Sequence, residues 1–147
     1  MILPDPAASH DLGNRLAALV RPGDVVALSG PLGAGKTSIA RGLLAALGLP
    51  GEAPSPSFAI VQPYDPPETR LPVLHVDLYR IDDPAEIDEL GLDEARGYAL
   101  LVVEWPEHAG VDAWPDALHL TLTVADDGAR GLTARVPKAW EDRWSLI

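Results

Sequence analysis

The chain has 147 residues, 47% of them hydrophobic and 22% charged, which is ordinary for a globular protein and excludes a disordered or fibrous chain. With 11 basic and 22 acidic residues, its formal net charge is −11, which argues against strong direct binding to nucleic acid, since phosphate neutralisation dominates such binding. Because cysteine is absent, disulfides and Cys-ligated zinc are excluded.

The chain shows no segment that would direct it to or through a membrane. Its strongest apolar run, residues 99–103, is much shorter than a membrane span, and the first residues lack the basic and apolar parts of a secretory signal. We therefore expect a cytoplasmic protein without membrane association. The length suits one domain covering residues 1–147.

In chain order, hydrophobic periodicity predicts two long helices, several strands and two short helices. The first helix is expected at 9–20, with Ser9 as its N-cap, and the second at 36–47, ended by Gly48. Short helices are expected at 83–90 and 139–146. The predicted strands are 25–29, 58–64, 73–79, 100–104, 118–124 and 132–136.

The pattern of these strands predicts a three-layer α/β fold around a mixed sheet. Residues 25–29 and 100–104 are continuously apolar, which is typical of strands buried on both faces. Residues 118–124 alternate, and a turn at 126–128 joins them to the last predicted strand. The last two strands are therefore expected to be an antiparallel pair at one side of the sheet.

Residues 30–37 read GPLGAGKT and match the phosphate-binding pattern G-x-x-x-x-G-K-[ST], between a predicted strand and a predicted helix. Glycines let backbone N–H groups point at a phosphate, and the helix N-terminus favours the same anion. Lys36 is expected to reach the β- and γ-phosphates, and the Thr37 hydroxyl suits Mg²⁺. The alternative is a glycine-rich turn that only caps a helix.

Such a site needs a carboxylate at a neighbouring strand end to hold Mg²⁺ or its water. Two acids qualify, Asp77 and Glu104, each at the end of a predicted strand. Glu104 follows a buried run, so it should lie at the exposed edge where ligands bind to open α/β sheets. The alternatives are a solvent-facing acid for Glu104 and an ion pair with Arg80 for Asp77.

Three further residues lie close to these motifs in the sequence. His75 is interpreted as a structural residue that fills the strand rather than as a base. Trp105, next to Glu104, is either a wall of the site or part of the edge of the core. Ser57, on a proline-rich stretch, either contacts the γ-phosphate as switch loops do or belongs to a polar turn.

Four motifs follow one another along the chain: 30–37 (GPLGAGKT), 55–58 (SPSF), 75–80 (HVDLYR) and 103–107 (VEWPE). Together and in this order they resemble the TsaE (YjeE) family, the small P-loop ATPases of bacterial tRNA threonylcarbamoyladenosine synthesis. The last two motifs are more specific than the phosphate loop, and the resemblance extends from the first helix to the turn at 127–128. One departure is Ser57, where the family has threonine.

The resemblance implies a P-loop NTPase-like domain with a mixed sheet of about seven strands, and ATP and Mg²⁺ as cofactors. Thr37 and Glu104 would hold Mg²⁺, and Asp77 would lie near the γ-phosphate or the attacking water. Lys36, Asp77 and Glu104 are thus the expected catalytic residues. The adenine would lie near residues 6–9 and Gly128. The remaining expected nucleotide contacts are Leu32, Gly33, Ala34, Gly35, Ser57 and Trp105.

The resemblance also implies partners, the TsaD and TsaB proteins, which carry out carbamoyl transfer on tRNA. Phosphoryl transfer to water commonly needs an arginine in addition to the loop lysine, and the nearest arginines in sequence are Arg41 and Arg80. Weak ATPase activity that a partner stimulates is therefore expected.

Three other readings stay open at this point. A small-molecule kinase would need a lid with clustered arginines, whereas the arginines here are dispersed. A GTPase reading rests on residues 88–91 (DELG), but the guanine-reading Asn-Lys-x-Asp is missing. A scaffold that binds ATP without hydrolysing it is the third.

Overall fold

A seven-stranded sheet forms the centre of the structure, a computed structural model that describes residues 1–51, 53, 60–110 and 112–147. The spatial order of the strands, numbered along the chain, is 1-7-6-2-5-4-3. The strands are β1 (Ile2–Leu3), β2 (Val25–Ser29), β3 (Val61–Tyr64), β4 (Val73–Asp77), β5 (Leu100–Glu104), β6 (Leu118–Val124) and β7 (Arg130–Arg135).

The sheet is mixed, as expected. β2 pairs in parallel with both β5 and β6, and β4 pairs in parallel with β5. The outer pairs β1–β7, β3–β4 and β6–β7 are antiparallel. The parallel centre brings the carboxyl ends of β2, β4 and β5 to one edge of the sheet.

Two long helices and several short ones surround the sheet. None of the helices in the described residues is long and apolar enough to cross a membrane. The helices are α1 (Pro6–Ala17), α2 (Lys36–Ala46), α3 (Ala85–Asp88), α4 (Leu92–Ala95) and α5 (Glu141–Trp144), with 3₁₀ turns at Pro106–Ala109 and Lys138–Trp140.

Hydrophobic clusters fill both faces of the sheet. Because side chains alternate along a strand, β2 places Val26 and Leu28 in the cluster that contains α1 and α2, and Val25 and Ala27 in the cluster that contains α4. This two-sided burial explains why the strand reads as a continuous apolar run.

The helices α1 and α2 pack unusually closely at two glycines. A Cβ atom on Gly13 would lie 2.1 Å from the carbonyl oxygen of Ile39, and one on Gly42 would lie 2.0 Å from that of His10. Only glycine allows backbones to approach this closely. The pair of glycines therefore fixes how α1 lies against α2.

The predicted N-cap of the first helix is wrong. The helix begins at Pro6, and the Asp5 carboxylate caps it by accepting a hydrogen bond from the Ala8 N–H at 2.8 Å. Proline is favoured at the first helical position and aspartate at the cap, so the Asp5–Pro6 pair outweighs Ser9. Ser9 instead lies inside the helix and is buried.

Other boundaries differ by a few residues. β4 ends at Asp77 rather than at residue 79, since Asp77 pairs with Glu104, the last residue of its neighbour β5. The predicted helix 83–90 is only α3, and α4 follows it after Gly91. The C-terminal helix is a 3₁₀ turn followed by α5. Residues 58–59 of the predicted strand 58–64 lie outside the described residues.

Candidate functional site

A glycine-rich loop connects β2 to α2 at the carboxyl edge of the sheet. Gly35 lies at the N-cap of α2 with a φ of 109°, and Gly30 has a φ of 146°. A Cβ atom on Gly30 would meet the Leu122 carbonyl oxygen at 2.8 Å. Glycine is thus required at both positions by conformation. The loop ends at the N-terminus of an eleven-residue helix, which is suited to bind an anion.

The Lys36 ammonium lies inside this loop. Its Nζ donates to the carbonyl oxygens of Gly30 at 2.5 Å and Pro31 at 2.9 Å. It also lies 4.2 Å from the ring centroid of Trp105. Burial lowers the pKa of Lys36, while the nearby carboxylates of Glu104, Glu107 and Asp77 act in the opposite direction. The loop therefore contains one positive charge surrounded by acids.

Glu104 contacts side chains of two other elements, α2 and β4, at the mouth of the loop. It ends β5 and is 3% exposed. Its Oε1 accepts a hydrogen bond from the Thr37 hydroxyl at 3.0 Å, and its Oε2 lies 2.7 Å from Nε2 of His75. The structure thus brings together the two residues expected to hold Mg²⁺, although 67 positions separate them in the sequence.

The oxygen atoms of Thr37 and Glu104 fit Mg²⁺. Both are hard donors, and Mg²⁺ characteristically takes one or two protein ligands and completes its shell with waters and substrate phosphates. In the described ranges, no cluster of three His, Cys, Asp or Glu side chains could enclose a metal ion by itself. The two oxygen donors at the mouth of the glycine-rich loop suit an ion that also takes phosphate oxygens as ligands.

Asp77 lies beside Glu104 because the two residues are register partners across β4 and β5. It is 8% exposed, and its Oδ1 accepts a hydrogen bond from the Tyr79 N–H at 2.8 Å. Burial raises the pKa of Asp77. The ion pair with Arg80 considered from the sequence is not among the salt bridges of the described residues.

Trp105 follows Glu104 in a left-handed conformation with a φ of 59°. In the described part of the chain, it is the only residue other than glycine with a positive φ, and such strain often marks functional sites. Its ring centroid lies 5.0 Å from that of Tyr79 and 5.7 Å from that of His108. Trp105 also packs partly against the second hydrophobic cluster.

One cavity of about 210 Å³ collects most of the predicted site residues. Ala34 belongs to the same loop but does not line the cavity, and Gly128 lies outside it. Ser57 falls outside the described residues. The cavity is lined by Leu32, Gly33, Gly35, Lys36, Thr37, Ser38, Asp77, Glu104 and Trp105.

A comparison with protein families accounts for this combination. The model described as "Threonylcarbamoyl adenosine biosynthesis protein TsaE" matches residues 3–132. The chain belongs to the TsaE family. The resemblance drawn from the four motifs is therefore confirmed.

Curated relatives and a solved structure agree with this assignment to the TsaE family. The tRNA threonylcarbamoyladenosine biosynthesis protein TsaE of Streptomyces coelicolor is 42% identical over 79% of this chain and 79% of its own length. The Bacillus subtilis protein of the same name is 35% identical over 88% of this chain and 80% of its own length. The crystal structure of Bacillus subtilis YdiB superposes with a TM-score of 0.79 and 31% identity, covering 99% of this chain and 91% of the other. This likeness confirms the P-loop NTPase-like fold class.

Two residues at the site of this TsaE family member were missed in the sequence. His75, interpreted as a space-filling residue, contacts Glu104 directly. Arg130, at the start of β7, donates to the carbonyl oxygens of Ala34 and Gly33 at 3.0 Å each, and also to that of Gly128. The alternation of β4 could have indicated His75, because it shares a face with Asp77. No local signal marks Arg130.

Proposed function

We propose that this TsaE family member is a Mg²⁺-dependent ATP-binding protein and weak ATPase that serves formation of N6-threonylcarbamoyladenosine at position 37 of tRNA. The contact between Thr37 and Glu104, beside Lys36 at the mouth of the glycine-rich loop, is the observation that carries this proposal. It supplies phosphate-binding and metal-binding groups in one cavity. The family and its relatives' names support the pathway.

Each residue has a distinct part in this proposal. Loop N–H groups and the Lys36 ammonium bind the β- and γ-phosphates. Thr37 and Glu104 hold Mg²⁺, which when bound supplies positive charge to the phosphate oxygens. Asp77 orients the attacking water, since it lies next to Glu104 at the strand ends and a raised pKa suits a proton acceptor.

Slow turnover follows from the charges around the loop. Lys36 is the basic side chain that lines the cavity. Arg130 is close, but its guanidinium donates to carbonyl oxygens of the loop, so it supports the backbone instead of facing a phosphate. An arginine finger is worth roughly 10³–10⁵ in rate in other P-loop enzymes. We therefore expect a partner to complete the site.

TsaD and TsaB are the partners that the proposal assigns to this chain. With a formal net charge of −11, the chain is poorly suited to grip tRNA directly. It is better suited to act on a protein complex that itself binds tRNA. In this proposal, Ser57 contacts the γ-phosphate and couples its presence to the partner complex.

The proposal is tested by measuring phosphate release from ATP by the chain alone and with a TsaD–TsaB pair. Weak turnover alone, stimulation by the pair, and modified tRNA only when all three proteins and ATP are present are expected. Lys36→Ala should lose ATP binding and hydrolysis, and Ser57→Ala should bind ATP but respond poorly to the pair.

Three results would contradict the proposal. Rapid hydrolysis by the chain alone, with no effect of the TsaD–TsaB pair, would remove the family function. ATP binding without phosphate release, even with the pair, would favour the non-hydrolysing scaffold. Transfer of the phosphate to a small metabolite would favour the kinase.

A further inference from the structure

We infer that His75 is a positioning residue that fixes the Glu104 carboxylate in the orientation required to bind the metal. This inference rests on the proposed function, in which Thr37 and Glu104 hold Mg²⁺. His75 lies on β4, contacts the Glu104 carboxylate and does not line the cavity at the glycine-rich loop. It thus acts on the site through Glu104.

The placement of His75 follows from the register of the central strands. His75 pairs with Val102, and two residues later Asp77 pairs with Glu104. His75 is completely buried, and its Nε2 lies 2.7 Å from Oε2 of Glu104. A carboxylate only accepts hydrogen bonds, so the ring nitrogen in this contact is the one that carries the proton and donates.

The two oxygen atoms of Glu104 are held by different partners. Thr37 donates to Oε1, on the side of the loop, and His75 donates to Oε2. The terminal torsion of a glutamate side chain has a broad energy profile, so a carboxylate held at one oxygen turns easily. Thr37 and Glu104 would hold the metal ion, and His75 would keep its contact with the carboxylate. His75 is therefore the partner that keeps the carboxylate aligned.

A space-filling role does not explain the polarity of this side chain. The Nδ1 atom of His75 is buried and has no hydrogen-bond partner among residues 1–51, 53, 60–110 and 112–147. A buried polar atom without a partner lowers stability, and an apolar side chain would avoid that cost. The imidazole is therefore explained by its contact with Glu104.

The inference is tested with two amides that differ in reach. In His75→Gln, the amide nitrogen lies near the former Nε2 position and can still donate to Glu104. In His75→Asn, the amide is one methylene shorter and ends near the former Nδ1 position. The measured quantity is the Mg²⁺ concentration that gives half-maximal binding of a non-hydrolysable ATP analogue, with binding detected by calorimetry.

We expect His75→Asn to raise this Mg²⁺ concentration about 10- to 100-fold, the usual effect of losing a partner that orients a metal ligand. His75→Gln should stay within a few-fold of the wild type. Binding of the analogue in excess chelator should be the same for all three proteins, because His75 does not line the cavity that contains the glycine-rich loop. His75→Leu has no side-chain donor and should show the same shift, so it replaces His75→Asn if the asparagine variant does not fold.

The matched control is Val73→Ala. Val73 lies on β4, is buried and shares a face with His75. Its truncation should lower the melting temperature and leave the Mg²⁺ midpoint unchanged. An equal shift in Val73→Ala and His75→Asn, or no shift in His75→Asn and His75→Leu, would overturn the positioning role of His75 but would leave the proposed metal site in place. A wild-type chain that binds the analogue equally with and without Mg²⁺ would overturn both this role and the proposed metal site.

Discussion

Asp77 and Glu104 are neighbouring buried acids, and the proposal gives them different roles. Replacing each with its amide should therefore have different effects on Mg²⁺ dependence and on hydrolysis. Glu104→Gln removes the charge of a metal ligand, so the Mg²⁺ midpoint for nucleotide binding should rise at least about tenfold. Asp77→Asn keeps the acceptor for the Tyr79 N–H. It should lower ATP hydrolysis with the partner pair by about 10²-fold or more, as expected for loss of a base, while leaving the Mg²⁺ midpoint unchanged.

The reverse pattern would exchange the two assignments. If Asp77→Asn shifts the Mg²⁺ midpoint and Glu104→Gln does not, Asp77 is the metal ligand. Circular dichroism of both variants checks that the fold is retained.

Trp105 should report nucleotide binding through its contact with Lys36. The ammonium lies 4.2 Å from the indole centroid, and phosphates that attract it will change the charge next to the ring. We expect tryptophan fluorescence to change on titration with Mg²⁺–ATP. Trp105→Phe removes the indole next to Lys36 and retains the other tryptophans, which should not respond. This variant should therefore show no change in fluorescence. A change of equal size in Trp105→Phe would place the reporter elsewhere.

At the scale of elements, the contact between α1 and α2 depends on two glycines, and alanine there should be destabilising. Alanine in a helix interior ordinarily gains about 1 kcal/mol over glycine. In Gly13→Ala or Gly42→Ala, however, the new Cβ would lie about 2 Å from a backbone carbonyl oxygen. The helices must separate, so we expect a net loss of roughly 1–3 kcal/mol in the free energy of unfolding, measured by denaturant titration.

Asn14→Ala is the matched control for this test, because Asn14 is exposed and lies next to Gly13 on α1. It should be neutral or slightly stabilising. Equal behaviour of Gly13→Ala and Asn14→Ala would show that the close approach of the two helices does not matter. Separation of the helices should also weaken ATP binding, since Ser9 on α1 lies against Gly35 at the start of α2.

Arg130 connects β7 to the glycine-rich loop, and its removal should loosen that loop. Its three donations reach the carbonyl oxygens of Gly33, Ala34 and Gly128. In Arg130→Ala, we expect faster hydrogen exchange at the amides of residues 32–35. Arg135→Ala, an exposed change on the same strand, is the control. Unchanged exchange in Arg130→Ala would show that the loop holds its shape without this side chain.

The strands that could be predicted are those whose own residues show a clear hydrophobic pattern. β2 and β5 are buried on both faces and read as continuous apolar runs, so their bounds were correct. β1 has only two residues, and nothing in them marks a strand until β7 supplies its pairing. Because α3 and α4 are short, each offers too few residues for helical periodicity to show.

The site was predictable where adjacent residues carry it and unpredictable where the fold assembles it. The residues of the glycine-rich loop are contiguous, and their chemistry follows from their types. The positions of acids at strand ends limited the candidate metal ligands to Asp77 and Glu104. They did not decide between the two, and the family resemblance favoured Glu104. The contact of His75 with Glu104 depends on the register of β4 and β5. The reach of Arg130 across 96 positions to Ala34 depends on the whole sheet.

For the whole molecule, the net charge of −11 predicts salt-sensitive association with a basic protein surface. Association with TsaD and TsaB, the partners of the proposed function, should slow as ionic strength rises, since long-range attraction is screened beyond about 8 Å at physiological salt. The association rate is measured by stopped flow at several salt concentrations. A rate independent of salt would indicate that contact is governed by neutral groups.

The central position of β2 has a consequence for how the protein is made. β2 is formed by residues 25–29, but both of its neighbours come late, at 100–104 and 118–124. Pairings between such distant segments form slowly, and during synthesis they must wait until the later segments have left the ribosome. While the first two thirds of the chain are being made, β2 therefore lacks both neighbouring strands, and the glycine-rich loop that follows β2 is not held in place by the sheet. A nascent chain that ends before residue 118 should be unable to bind nucleotide, although every residue of the phosphate-binding motif has already been translated.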